Sequence, residues 1–244
     1  MMNVLFALLG LVAGVVINAL ADDLPQRRRP SPPHCHNCQH RYAPSHWLGL
    51  GRCAQCGAAP RRRALWVVAG TAVLFASLPS LIPERVNLWV NGLYTAVFIL
   101  VIVIDLEHKL ILDVVTLPVT AVALLLSFVV SDNNIRLALV GAVVGFVLFF
   151  IVYWIGQLIF GPGALGYGDV KLALAMGAML GFHRILFALG LAILLGGVIS
   201  AALLLSRRFH RYSYLPYGQY LAIAGIIMLI WGVQIAKWYA GSGQ

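Results

Sequence analysis

Residues 135–159, IRLALVGAVVGFVLFFIVYWIGQLI, carry a single charge, Arg136, at their edge. A helix needs about 20 apolar residues to cross roughly 30 Å of hydrocarbon, and this run supplies them with some to spare. Comparable runs occupy 3–21, 64–82, 87–104, 113–130, 169–181, 185–205 and 219–237, so the chain is read as eight spans, with 169–181 the shortest. Inside a bilayer each backbone N–H and C=O must be satisfied within its own segment, which makes these runs helices rather than strands. The expected fold is all-α and polytopic, divided into a first transmembrane helix (1–21), a small loop module (22–63) and a seven-helix membrane core (64–244).

The composition agrees. Of 244 residues 61% are hydrophobic and only 10% charged, with a mean hydropathy of +0.90, which excludes an ordinary soluble domain. The first run lacks a basic start and a small-x-small site ahead of Asp22-Asp23, so it is read as a span rather than a cleaved signal peptide. Positive residues in short loops stay cytoplasmic. If 22–63 is cytoplasmic, thirteen of the seventeen Lys and Arg fall on that side and four (Arg85, Arg136, Arg184, Lys237) on the other, as eight spans with the N-terminus outside require. The net charge of +9 thus follows topology and adjoins anionic lipid; nucleic acid is not an expected partner.

All four cysteines lie in the 22–63 loop as Cys35-x-x-Cys38 and Cys53-x-x-Cys56, fourteen residues apart. Two such knuckles bring four thiolates to the corners of a tetrahedron at zinc-ribbon spacing. In a reducing compartment metal is the better use of clustered thiols than disulfide. Four protein ligands leave no open position, so the expected Zn2+ is structural. His34, His36, His40 and His46 are read as solvated loop residues, and Gly51 and Gly57 as turn-formers.

The chain has eight acidic residues, and two of them lie at the ends of apolar runs: Asp105 closes the third span and Asp169 opens the sixth. A carboxylate near bilayer depth costs roughly 2.5 to 3.5 kcal/mol on insertion scales, so it is kept for a function and has a partner. Topology puts both at the same depth on the cytoplasmic side. Two carboxylates in one poorly hydrated site share a proton, one serving as base and the other as acid. Gly166 and Gly168, flanking Tyr167 just before Asp169, allow close approach of backbone. Asp113 is read as the N-cap of the fourth helix, Lys171 as an interfacial anchor or a cation acting on the aspartate, Gly141 and Gly145 as a small-xxx-small packing pattern, and Asp22 and Asp23 as solvated.

Gly166-Tyr167-Gly168-Asp169-Val170-Lys171-Leu172 resembles the second aspartate motif of the prepilin peptidases, the type IV leader peptidases, and Asp105 through Leu117-Pro118 resembles the first. Gly14-Val15-Val16-Ile17-Asn18, Leu24-Pro25, the cysteine knuckles and Leu215-Pro216-Tyr217-Gly218 extend the likeness over nearly the whole chain. The resemblance implies an intramembrane aspartic protease of the prokaryotic inner membrane, with Asp105 and Asp169 catalytic and with type IV prepilins or type II secretion pseudopilins as substrates. Many members then N-methylate the product with S-adenosylmethionine. Two departures stand out: Leu112-Asp113 replaces the family's usual Pro-Asp, and 61–67 reads RRRALWV where the family carries an Arg-Tyr-Pro run and a glutamate, which leaves methyl transfer open. A proton- or cation-coupled transporter with a regulatory zinc loop is the rival reading from another class.

Overall fold

The computed structural model describes residues 1–27, 30–43, 46–48, 51–161, 165–205 and 217–241. Arg28, Arg29, Arg207, Arg208, Arg211, Leu215 and Pro216, which enter the sequence reading, lie outside them. Among the described residues there are seven helices: α1 (Met2–Arg27), α2 (Arg62–Leu81), α3 (Arg85–His108), α4 (Asp113–Leu126), α5 (Ile135–Phe160), α6 (Tyr167–Leu205) and α7 (Gly218–Gly241). All but α4 are long and apolar enough to cross a membrane. Leu8, Val12, Val73, Leu125 and Leu158 stay more than half exposed, a surface that suits hydrocarbon and not water.

The chain divides into two units, Met1–Val103 and Ile104–Gln244. In the first, α1 packs closely on α2, because a methyl added at Gly14 would fall 2.7 Å from the Val68 Cα. The Asn18 amide donates to the Ala64 carbonyl at 3.1 Å. Asp22 and Asp23 are not free loop charges: Asp22, 28% exposed, is ion-paired, and Asp23 is buried. They lie in the last turns of α1, where Asp22 accepts from Arg61 at 2.8 Å and also from Arg63, and the buried Asp23 takes the Ser31 N–H (2.8 Å) and hydroxyl (2.5 Å).

In the second unit the Gly141/Gly145 pattern is a packing seam. A methyl at Gly141 would stand 2.5 Å from the Gly177 carbonyl oxygen, and one at Gly145 would strike the Ala173 carbonyl, so α5 and α6 touch backbone to backbone. Asn134 caps α5, its side chain accepting the Leu137 N–H at 3.0 Å.

At 39 residues α6 would be about 58 Å long, nearly twice the hydrocarbon thickness. It breaks at Gly181, whose φ of 76° and ψ of 171° no helix contains. Ala173 and Ile185, on either side of the break, both approach Gly145, so the two arms fold back on each other. These arms are the sixth and seventh spans read from the sequence. The break frees carbonyls: the Asn133 amide donates to those of Ala178 (2.9 Å) and Met179 (3.1 Å), and the Arg184 Nε to that of Leu180 (2.7 Å). Asn133→Ala should therefore lower stability by about 1–3 kcal/mol by leaving buried carbonyls without donors. The midpoint of denaturant unfolding in detergent checks this, and an unchanged midpoint contradicts it.

Candidate active site

Two helix beginnings shape this site. The first N–H groups of any helix have no partner inside it and need an acceptor from elsewhere. α7 starts from the Tyr217 carbonyl, which accepts from the Tyr220 (3.0 Å) and Leu221 (3.3 Å) N–H groups. The Gln219 N–H has no acceptor there and donates instead to Asp105 Oδ2, at 2.9 Å. Asp105 thus caps α7 from near the end of α3. α6 begins similarly: the Asp169 N–H donates to the Gly166 carbonyl at 3.1 Å, and Asp169 Oδ2 accepts the Gly166 N–H at 3.1 Å, which is half of a capping box. The partial positive charge at each helix N-terminus favours the carboxylate it holds.

Both aspartates are 2% exposed. α3 stops just beyond Asp105, where Lys109 adopts the left-handed conformation (φ 53°) and donates its N–H to the Asp105 carbonyl at 2.9 Å. Tyr217, directly before α7, has its ring 5.8 Å from Phe149 and 5.9 Å from Tyr220. Burial, then the Asp169 charge and Tyr220, push its hydroxyl up to about 12, so it remains a donor.

Lys171 has its ion-pair partner on Asp113: its Nζ lies 2.6 Å from Oδ2 and 5.2 Å from the centre of the Tyr167 ring. Asp113 accordingly is not the cap of α4; Leu112 occupies that position without a side-chain bond, and Asp113 is the first residue of the helix, drawn to Lys171. Gly166 and Gly168 both stand where α6 begins, as the sequence suggests.

The cysteines form a separate cluster in the first unit. Their sulfurs lie within 4.8 Å of one another, with Cys35–Cys56 and Cys38–Cys53 each at 3.6 Å. The knuckles are alike: Cys35 donates its N–H to His40 and accepts from Gln39, while Cys53 donates to Ala58 and accepts from Gly57. Gln39 and Gly57, at matching positions, both have positive φ. The Cys38 N–H lowers the Cys35 thiol to about 6, and that of Cys56 lowers Cys53. Cys38, although it takes the His40 N–H, is pushed up to about 12 by burial and the neighbouring sulfurs. Four thiols this close ionise together only around a cation, and the set can hold a metal ion. The histidines stand apart: His36 meets Arg61 at 2.7 Å, His46 stacks on Tyr42, and His34 faces Ser31 and Asp23.

A model of the type IV leader peptidase family matches residues 92–201, a stretch that contains both aspartates. The prepilin leader peptidase/N-methyltransferase of Aeromonas salmonicida is 36% identical over 194 residues, covering 79% of this chain and 67% of that protein. The chain belongs to the type IV leader peptidase family. Proteins of the same name from Pseudomonas aeruginosa and Dichelobacter nodosus are 31% and 32% identical, covering 84% and 83% of this chain and 73% and 72% of their own lengths. No solved structure matches. The transporter reading has no support among these relatives, and with its apolar helices this leader peptidase is a multi-pass membrane protein.

Sequence reading missed Gln219 and Tyr217 as site residues. The available signal was Pro216-Tyr217-Gly218, a helix-start pattern in search of an acceptor. The Lys171–Asp113 pair is 26% and 54% exposed, so a double-mutant cycle with Lys171→Met and Asp113→Asn should give a coupling below about 1 kcal/mol that fades with salt. A larger, salt-insensitive coupling contradicts a solvated clasp.

Proposed function

We propose that Asp105 and Asp169 are the catalytic pair of an aspartic endopeptidase that removes the basic leader from type IV prepilins or type II pseudopilins at the cytoplasmic membrane face. The observation that carries this reading is that each buried carboxylate is anchored through one oxygen at a helix N-terminus, Asp105 on Gln219 and Asp169 on Gly166. We assign the other oxygen of each to water and substrate. With one proton between them, the ionised aspartate takes a proton from water as that water attacks the scissile carbonyl carbon. The protonated partner donates to the carbonyl oxygen, and the tetrahedral diol collapses as the leaving amine gains a proton. No acyl-enzyme forms. Gly168 lets the backbone and Cβ of Ile111 pack against the start of α6 beside Asp169, and Lys171 steadies that turn through Asp113 and Tyr167.

The four cysteines suit zinc: tetrahedral bonds of about 2.3 Å set sulfurs about 3.8 Å apart, close to the two separations of 3.6 Å. Cys35, Cys38, Cys53 and Cys56 would hold it, and it would fold the 22–63 module without entering the chemistry. The basic residues favour a cytoplasmic placement for this module beside anionic lipid in the inner membrane, with no role for nucleic acid. For methyl transfer from S-adenosylmethionine no carboxylate is assigned here: among the described residues near the knuckles, Asp22 pairs with Arg61 and Arg63, and Asp23 accepts from Ser31. The peptidase step is independent of it.

In proteoliposomes with a prepilin, Asp105→Asn and Asp169→Asn should each lower cleavage by about 10²- to 10⁴-fold while remaining folded. Full cleavage by either variant overturns the assignment. Metal analysis should find one zinc per chain, lost in Cys53→Ser together with protease resistance of the loop. Retention of metal in that variant contradicts the four-thiolate site.

A further inference from the structure

The connection from α3 to α4 is only four residues, 109–112, and it is fixed at both ends. Lys109 turns the chain in the left-handed conformation, and Asp113 is held by Lys171 on the first turns of α6. Between these ends the half-buried Ile111 reaches the beginnings of two helices at once. A methyl added at Gly168 would stand 2.8 Å from the Ile111 Cβ and 3.3 Å from its carbonyl oxygen. One added at Gly218 would stand 2.8 Å from the Ile111 Cδ1 and 3.2 Å from the Asp105 carboxylate. Gly168 directly precedes Asp169, and Gly218 directly precedes Gln219, whose N–H holds Asp105.

We infer that Ile111 is a positioning residue of the peptidase, a spacer between the N-terminal turns of α6 and α7 that fixes how far Asp169 stands from Asp105. This rests on the peptidase reading of the pair. Ile111 carries no chemistry itself. It acts because each aspartate is tied by a hydrogen bond to the helix beginning that Ile111 touches, so the gap between those beginnings becomes the gap between the carboxylates. The two glycines are the counterpart of the spacer: neither position has room for a side chain while Ile111 is in place. The Ile111 Cβ cannot rotate away from Gly168, whereas its Cδ1 can yield to a group at Gly218, so the contact with Gly168 is the stiffer of the two.

Misplacing a catalytic group by about 1 Å can cost about 10²-fold in rate without touching substrate affinity. Prepilin cleavage by the full chain in proteoliposomes, with kcat and KM measured separately and normalised to folded protein, reads this out. Ile111→Gly, which removes both the Cβ that meets Gly168 and the Cδ1 that meets Gly218, should lower kcat by about 10²-fold with KM within about threefold, while Ile111→Ala, which keeps the Cβ, stays within about tenfold of the parent. Gly168→Ala, whose methyl pushes on the Ile111 Cβ, should show the same kcat-only loss and serves if Ile111→Gly does not fold. Unchanged kcat in folded Ile111→Gly or Gly168→Ala, a loss confined to KM, or equal losses in Ile111→Ala and Ile111→Gly overturns the spacer. Asp105→Asn and Asp169→Asn run in parallel separate the two claims. If either still cleaves, the peptidase reading itself fails; if both are inactive and Ile111→Gly keeps its kcat, only the spacer fails.

Discussion

Two helices of the second unit begin with backbone N–H groups that find their acceptors on aspartates, and the site depends on this. Hydrogen-bonding obligations are strict away from water, where an unsatisfied N–H costs as much as a lost bond. α7 meets its obligation by taking the Asp105 carboxylate from α3, and α6 by folding Asp169 back onto Gly166. The same bonds offset part of the cost of burying two carboxylates. Structural need and the proposed catalytic placement therefore fall on the same atoms, so the aspartates are held before any substrate arrives.

Around this pair the unit is kept narrow. Gly141 and Gly145 let α5 approach α6 until backbones touch, and the Gly181 break folds the second arm of α6 back beside the first. The carbonyls released at the break are taken by Asn133 and Arg184, so the turn is an ordered part of the fold. The proposed metal module follows a different logic. A loop of some forty residues cannot bury enough apolar surface to fold itself, and four thiolates around a cation take the place of a core.

Legibility in the sequence tracked how local each feature is. Apolar length made six membrane-length helices readable, and the two arms of α6 match the separate runs 169–181 and 185–205, whereas α4, at 14 residues, is shorter than the span read at 113–130. Asp169 was readable from its own neighbours. Asp105 needed topology to become its partner. The Gly141/Gly145 seam and the cysteine pairs were readable because spacing alone sets them. Asp22 looked solvated because its partners, Arg61 and Arg63, arrive from 39 and 41 residues further along the chain. Asp113 looked like a cap because Lys171, 58 residues away, gives no local sign of competing for it. Ile111 and Gln219 were invisible for the same reason: their roles exist only once α3, α6 and α7 have met.

The claim that the aspartates form one catalytic unit can be tested by a double-mutant comparison of prepilin cleavage rates among Asp105→Asn, Asp169→Asn and the protein carrying both changes. Residues that share one proton and one water fail together. The double variant should be no slower than the more impaired single variant. If the two losses instead multiply, the aspartates act independently, and the pair described here is not the active site.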